Sequence, residues 1–149
     1  MKTLHTMSFA FLALLLGSVL STCGGQPAIV GGPCTYDDHP GSATITRIEK
    51  TEASKQQSET TGYEGFEVRF TFKPDAPLKD DLGARAATWE HSFQIGSGTY
   101  PGPEYLAKYK LEAGKTFRGT MSVIQSGTCT PVIVKLEGVD PADFFEGKK

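Results

Sequence analysis

The sequence predicts an all-β fold: a single antiparallel β-sandwich with a short helix in a long connection. Three observations carry that expectation. Phe66, Val68, Phe70 and Phe72 alternate strictly with Glu67, Arg69, Thr71 and Lys73, and a period of two sets the apolar set on one face of a half-buried strand. Four further segments, 42–50, 88–95, 117–124 and 130–137, show strand composition or the same alternation. Helical patterning is confined to short stretches between them, and many short strands with long turns argue sheet on sheet.

The chain opens with Lys2, an apolar run from Phe9 to Leu20, and then small residues and Cys23. A charged head, a short apolar body and a small-residue end mark a secretory signal. The run is too short to span a hydrocarbon core, which takes about 20 residues. Leu20-Ser21-Thr22-Cys23 resembles the lipobox of bacterial lipoproteins, in which the cysteine is lipidated and becomes the first mature residue. Thr22 is bulkier than the Gly, Ala or Ser usual there. The resemblance implies that residues 1–22 are a lipoprotein signal peptide and that acylated Cys23 anchors the protein in a lipid bilayer. Gly24 stands where lipoproteins of the inner membrane tend to carry Asp, which implies the outer membrane, facing the periplasm, in a two-membrane bacterium. The alternative is a secreted protein cut after Ser21 or Cys23 and left unlipidated. Cysteine parity opposes it. Of three cysteines, lipidation of Cys23 leaves Cys34 and Cys129 as one pair for a disulfide in an oxidising compartment.

Residues 23–33 read as a flexible tether, rich in Gly and Pro, and 34–149 as the β-sandwich domain. Cys34 to Gly41 opens the domain with turn formers, and the first strand follows at 42–50. The polar stretch 52–62 reads as a solvated hairpin loop, and 65–73 as the strand at the centre of the core. Pro74 and Pro77 end it, and 78–87 has room for one or two helical turns. In 88–95, Trp89, His91, Phe93 and Ile95 share a face. The segment 96–103 is a long loop with Tyr100 at its tip, and Pro103 starts a short helix to Tyr109. After 130–137 the tail from Gly138 packs loosely or ends in a turn. Leu111, Gly114 and Phe117 are spaced similarly to the corner before a late strand in immunoglobulin-like and fibronectin-type sandwiches. That similarity implies an immunoglobulin-like sandwich, although Phe117 stands where those domains usually place the hydrogen-bonding Tyr.

Without residues 1–22 the chain has 127 residues, with 14 basic against 17 acidic. Such a length buries roughly two-thirds of its unfolded surface, and such a charge leaves no basic footprint for nucleic acid. His39 and His91 are the histidines of the mature chain. With Asp37, Asp38 and Met121 they define a copper or zinc alternative, but no ligand spacing supports it. Asp37-Asp38 and Asp80-Asp81 do not fit a calcium loop and read as turn residues. Gly96-Ser97-Gly98 is not a nucleophile elbow, and no catalytic residues, enzyme activity or cofactor are expected. Trp89, Tyr100 and Tyr105 form the candidate binding loop, since Tyr and Trp offer apolar faces with polar tips. The competing reading makes them a satellite core. The expected function is a lipid-anchored cell-envelope protein with a non-catalytic binding or scaffolding role, its partner an envelope protein or a glycan. The alternative is a periplasmic metal-handling lipoprotein.

Overall fold

The computed structural model describes residues 33–96, 98–143 and 146. The leader, Cys23, the tether up to residue 32, Ser97 and residues 144–145 lie outside the described residues.

In chain order the elements are β1 (Thr35–Glu49), α1 (Glu52–Gln56), α2 (Ser58–Thr61), β2 (Glu67–Pro74), α3 (Asp81–Ala86), β3 (Glu90–Phe93), α4 (Pro103–Tyr109), β4 (Thr116–Ser126) and β5 (Val132–Leu136). The all-β expectation holds. The strands form one five-stranded sheet in the order β3-β2-β1-β4-β5, and every pairing in it is antiparallel. A sandwich needs two facing sheets; the described residues form one, curled into a half-barrel, and do not bear out the immunoglobulin-like sandwich.

Curling is how one sheet buries an apolar face without a second sheet. Ala43 and Ile45 of β1, Val68, Phe70 and Phe72 of β2, Phe93 of β3, Met121 and Val123 of β4 and Leu136 of β5 share one buried cluster. Tyr105, Leu111 and Val139 complete it from outside the sheet. Burying each large side chain contributes about 1.5–3 kcal/mol. The expected core alternation of β2 is present, except that Phe66 lies just before the strand with Lys50 over its ring at 5.2 Å.

Gly41 of β1 faces Gly119 of β4, and neighbouring strands crowd both. A Cβ on Gly41 would stand 2.5 Å from the Lys73 carbonyl oxygen and 2.6 Å from the Phe72 ring, and one on Gly119 would overlap the Lys135 carbonyl. Glycine is required here for close approach of neighbouring strands, which is one of its positional meanings in sheets.

β1 begins seven residues earlier than the turn formers suggested, and Asp37 to Gly41 are strand. Tertiary pairing explains the difference, because β4 pairs with β1 from Thr35 to Thr44. Pro40 is tolerated because its carbonyl, which accepts from the Asp75 N–H at 2.9 Å, points past the end of β2. The missing N–H of Pro40 points the same way, past the end of β2 and away from β4, so the long β1–β4 pairing loses no donor there. Between Ile45 and Arg47 the β1–β2 register shifts by one residue. This bulge at Thr46 lets both Ile45 and Ile48 reach the core.

The segment 52–62 is not a solvated loop. Thr51 and Ser54 form a reciprocal capping box that starts α1, and Ser54 is fully buried. α2 ends at Gly62 with φ 79°. Asp80 is the N-cap of α3, accepting from the Gly83 N–H, so it has a defined role rather than that of a solvated turn residue. Cys34 and Cys129 form a disulfide, 95 positions apart in sequence, which ties the start of β1 to the β4–β5 loop. In the chain-entropy model a loop of that size contributes about 4–5 kcal/mol.

Adding one methyl at this glycine pair tests the close approach. Gly119→Ala is expected to destabilise the domain by about 1–3 kcal/mol, as overpacking does. Gly114→Ser, at a turn glycine with open space around it but φ 84°, controls for loss of glycine freedom. Chemical denaturation of the two variants beside the wild type is the check, and a Gly119→Ala midpoint equal to wild type would sink the close-approach account.

Candidate binding cleft between the sheet edges

The residues singled out from sequence are not brought into one patch. Tyr105 is 1% exposed, and its hydroxyl donates to the Asp140 carbonyl at 2.7 Å. Its ring packs on Phe93 at 6.0 Å and on Tyr109 at 4.5 Å, and burial pushes its hydroxyl pKa well up. Tyr105 is therefore satellite core, not a contact residue. The Tyr109 hydroxyl donates to Asp143 at 2.6 Å, and Lys108 pairs with the same carboxylate. These bonds hold the chain after β5 against α4, so that stretch is not loosely packed.

Tyr100 is half-buried rather than lifted on a loop tip. Gln57 clamps its backbone, accepting from the Tyr100 N–H at 2.8 Å and donating to its carbonyl at 2.9 Å. Trp89 precedes β3 instead of joining its apolar face and is 43% exposed.

The two histidines sit apart. His39 pairs with Met121 across β1 and β4, whereas His91 pairs with Phe70, which in turn pairs with Ile45. Six residues of β1 separate them along the strand, on the order of 20 Å, so they do not share a site. His39 Nε2 lies 3.6 Å from an Asp37 oxygen, Met121 is fully buried, and the Asp38 carboxylate accepts from the Ser122 hydroxyl. Among the described residues no group of three His, Cys, Asp or Glu side chains is placed to hold a metal ion.

The curl creates a different feature. β3 and β5 end the strand order, so among the described residues each is paired on one side only, and both line one cleft of about 650 Å³. Its walls are mainly apolar: Phe70 and Phe93 on one side, Val132, Val134 and Leu136 on the other, and Val139 at one end. Counting the antiparallel steps between them, β3 and β5 run in the same direction. Their C-terminal ends are tied by the Gly96 N–H, which donates to the Pro141 carbonyl at 2.6 Å. At their N-terminal ends His91 and Thr130 line the cleft, and Thr130 adjoins the disulfide at Cys129.

His91 shapes that end. Its ring stacks on Phe70 with centroids 5.3 Å apart, and its Nε2 is 3.0 Å from the Ala86 carbonyl. A carbonyl only accepts, so Nε2 carries the proton in the neutral ring. Burial lowers the His91 pKa, partly offset by the bond to Ala86, which keeps this wall of the cleft neutral at pH 7.

Comparison with protein-family models, with curated proteins and with solved structures finds no match, so the functional reading stands on this geometry and on the leader.

The lowered pKa of His91 sets a sign. Because the unfolded state binds a proton more readily there, His91 costs no stability above its unfolded pKa of 6.5. The cost grows as pH falls from that value towards the lower folded pKa. His91→Phe is therefore expected to lose less stability than wild type between pH 7 and pH 5, read as the difference between their thermal melts. Parallel pH profiles would contradict the assignment.

Proposed function

We propose that the protein is a lipid-anchored, non-catalytic binding protein of the bacterial cell envelope, and that it takes an apolar ligand into the cleft between β3 and β5. The observation that carries the binding role is the cleft. At about 650 Å³ with mainly apolar walls, it falls within the range of about 300–1,000 Å³ common to small-molecule sites. Ser92, Gln94 and Thr130 among its lining residues supply the few polar groups that orient a ligand in such sites. Anchoring is supported by Leu20-Ser21-Thr22-Cys23 and by the Cys34–Cys129 bridge, which leaves Cys23 as the remaining cysteine. A short tether before Cys34 then holds the cleft near the membrane surface, within reach of apolar compounds that partition there.

Two variants test the two halves. Cys23→Ser is expected to abolish incorporation of labelled palmitate, releasing a mature form or stalling the uncut precursor, and equal labelling of both proteins would end the anchoring proposal. Ser92→Trp fills the mouth of the cleft from an exposed position of β3, so stability should change by less than about 0.5 kcal/mol. It should weaken saturable binding of the neutral dye N-phenyl-1-naphthylamine at least tenfold. Absence of saturable binding by wild type would contradict the binding role.

A further inference from the structure

The charge pattern of the cleft narrows the class of ligand, an inference that rests on the binding role proposed above. Lys135 is the one Lys, Arg, Asp or Glu among the described residues that line the cleft. It lies at an exposed position of β5, between the partly buried Val134 and the buried Leu136. Among the described residues its ammonium has no hydrogen-bond or ion-pair partner, whereas Arg47, Arg69 and Arg118 are each engaged by a carboxylate. Among the described residues no carboxylate lines the cleft. An apolar slot whose described lining holds one lysine and no carboxylate is complementary to an apolar tail that ends in a negative charge. A lysine on an edge strand also blunts pairing with other chains, and that simpler role makes a different prediction.

We propose that the cleft takes a single-chain amphiphile with an anionic head group, its tail between β3 and β5 and its head at the Lys135 ammonium. A carboxylate and a phosphate share this chemistry, and a fatty acid or a phosphorylated lipid fragment would supply one or the other.

The test uses the chain from residue 23 carrying Cys23→Ser, which has neither the apolar leader nor the lipid, and four probes with ten-carbon chains below their micellar or solubility limits. These are decanoate, decyl phosphate, decanol and decyltrimethylammonium. Calorimetry gives stoichiometry and affinity. The fluorescence of Trp89, the single tryptophan, provides a local readout, since its ring is 6.3 Å from that of His91. Decanoate or decyl phosphate is expected to bind one to one, about fivefold or more tighter than decanol, with the ammonium probe weakest. The preference should shrink as salt is raised, because an exposed charge is screened. Lys135→Gln should bring the probes to a common affinity, and Lys135→Arg should keep the anionic preference. The stronger of the two anionic probes names the head group. If decanol binds as tightly as both anions, or if Lys135→Gln leaves the preference intact, the anionic-head proposal is overturned while the cleft remains a site. If Lys135→Gln aggregates and Lys135→Arg shows no anionic preference, the lysine guards the edge and the proposal is likewise overturned. If none of the probes binds, the binding role itself falls.

Discussion

The close approach of strands around Gly41 and Gly119 is the constraint on which the rest of this fold depends. The two glycines face each other across β1 and β4, and the backbones of β2 and β5 come in against them where side chains would otherwise stand. An antiparallel sheet with one apolar face must cover it. With a second sheet absent among the described strands, the curl of the single sheet is what lets Phe72, Met121 and Leu136 meet in one core. The bulge at Thr46 adjusts the far end of β1 in the same sense, keeping its isoleucines on the inner side.

The cleft follows from the same geometry. A five-stranded sheet that curls brings its first and last strands towards each other, and here they are β3 and β5, running in the same direction. Direct closure would need a parallel pair, which gains slightly less per residue than an antiparallel one. Both strands are also short, four and five residues. The tie between Gly96 and Pro141 holds their C-terminal ends. The disulfide fixes the loop that enters β5, and the cluster of Tyr105 and Tyr109 with Asp140 and Asp143 braces the chain that leaves it. Both ends of β5 are thus held while its unpaired edge lines the cleft.

Local signals in the sequence were legible and long-range ones were not. The alternation of 66–73, the helix opened by Pro103 and the disulfide between Cys34 and Cys129 all have residue-level causes, and the structure contains them. The capping pair Thr51 and Ser54 was also present to be read, but polar composition obscured it. By contrast, Asp37 to Gly41 carries turn residues and becomes strand because β4, some eighty residues later, pairs with it. One sheet or two, and which strands form its edges, depend on strand order, which no window of sequence encodes. The lining of the cleft is divided mainly between 91–96 and 130–141, so neither half has a signature on its own. The aromatic residues that did stand out, Tyr105 above all, were conspicuous because they pack.

Amide NMR of the domain, recorded with and without a saturating neutral ten-carbon alcohol, tests the central claim most directly. The account predicts shifts concentrated in residues 91–96 and 130–141, with the β1 amides around Gly41 nearly unmoved. Shifts centred on α1 and α2, or spread evenly over the sheet, would contradict a site built from the two edges of a curled sheet.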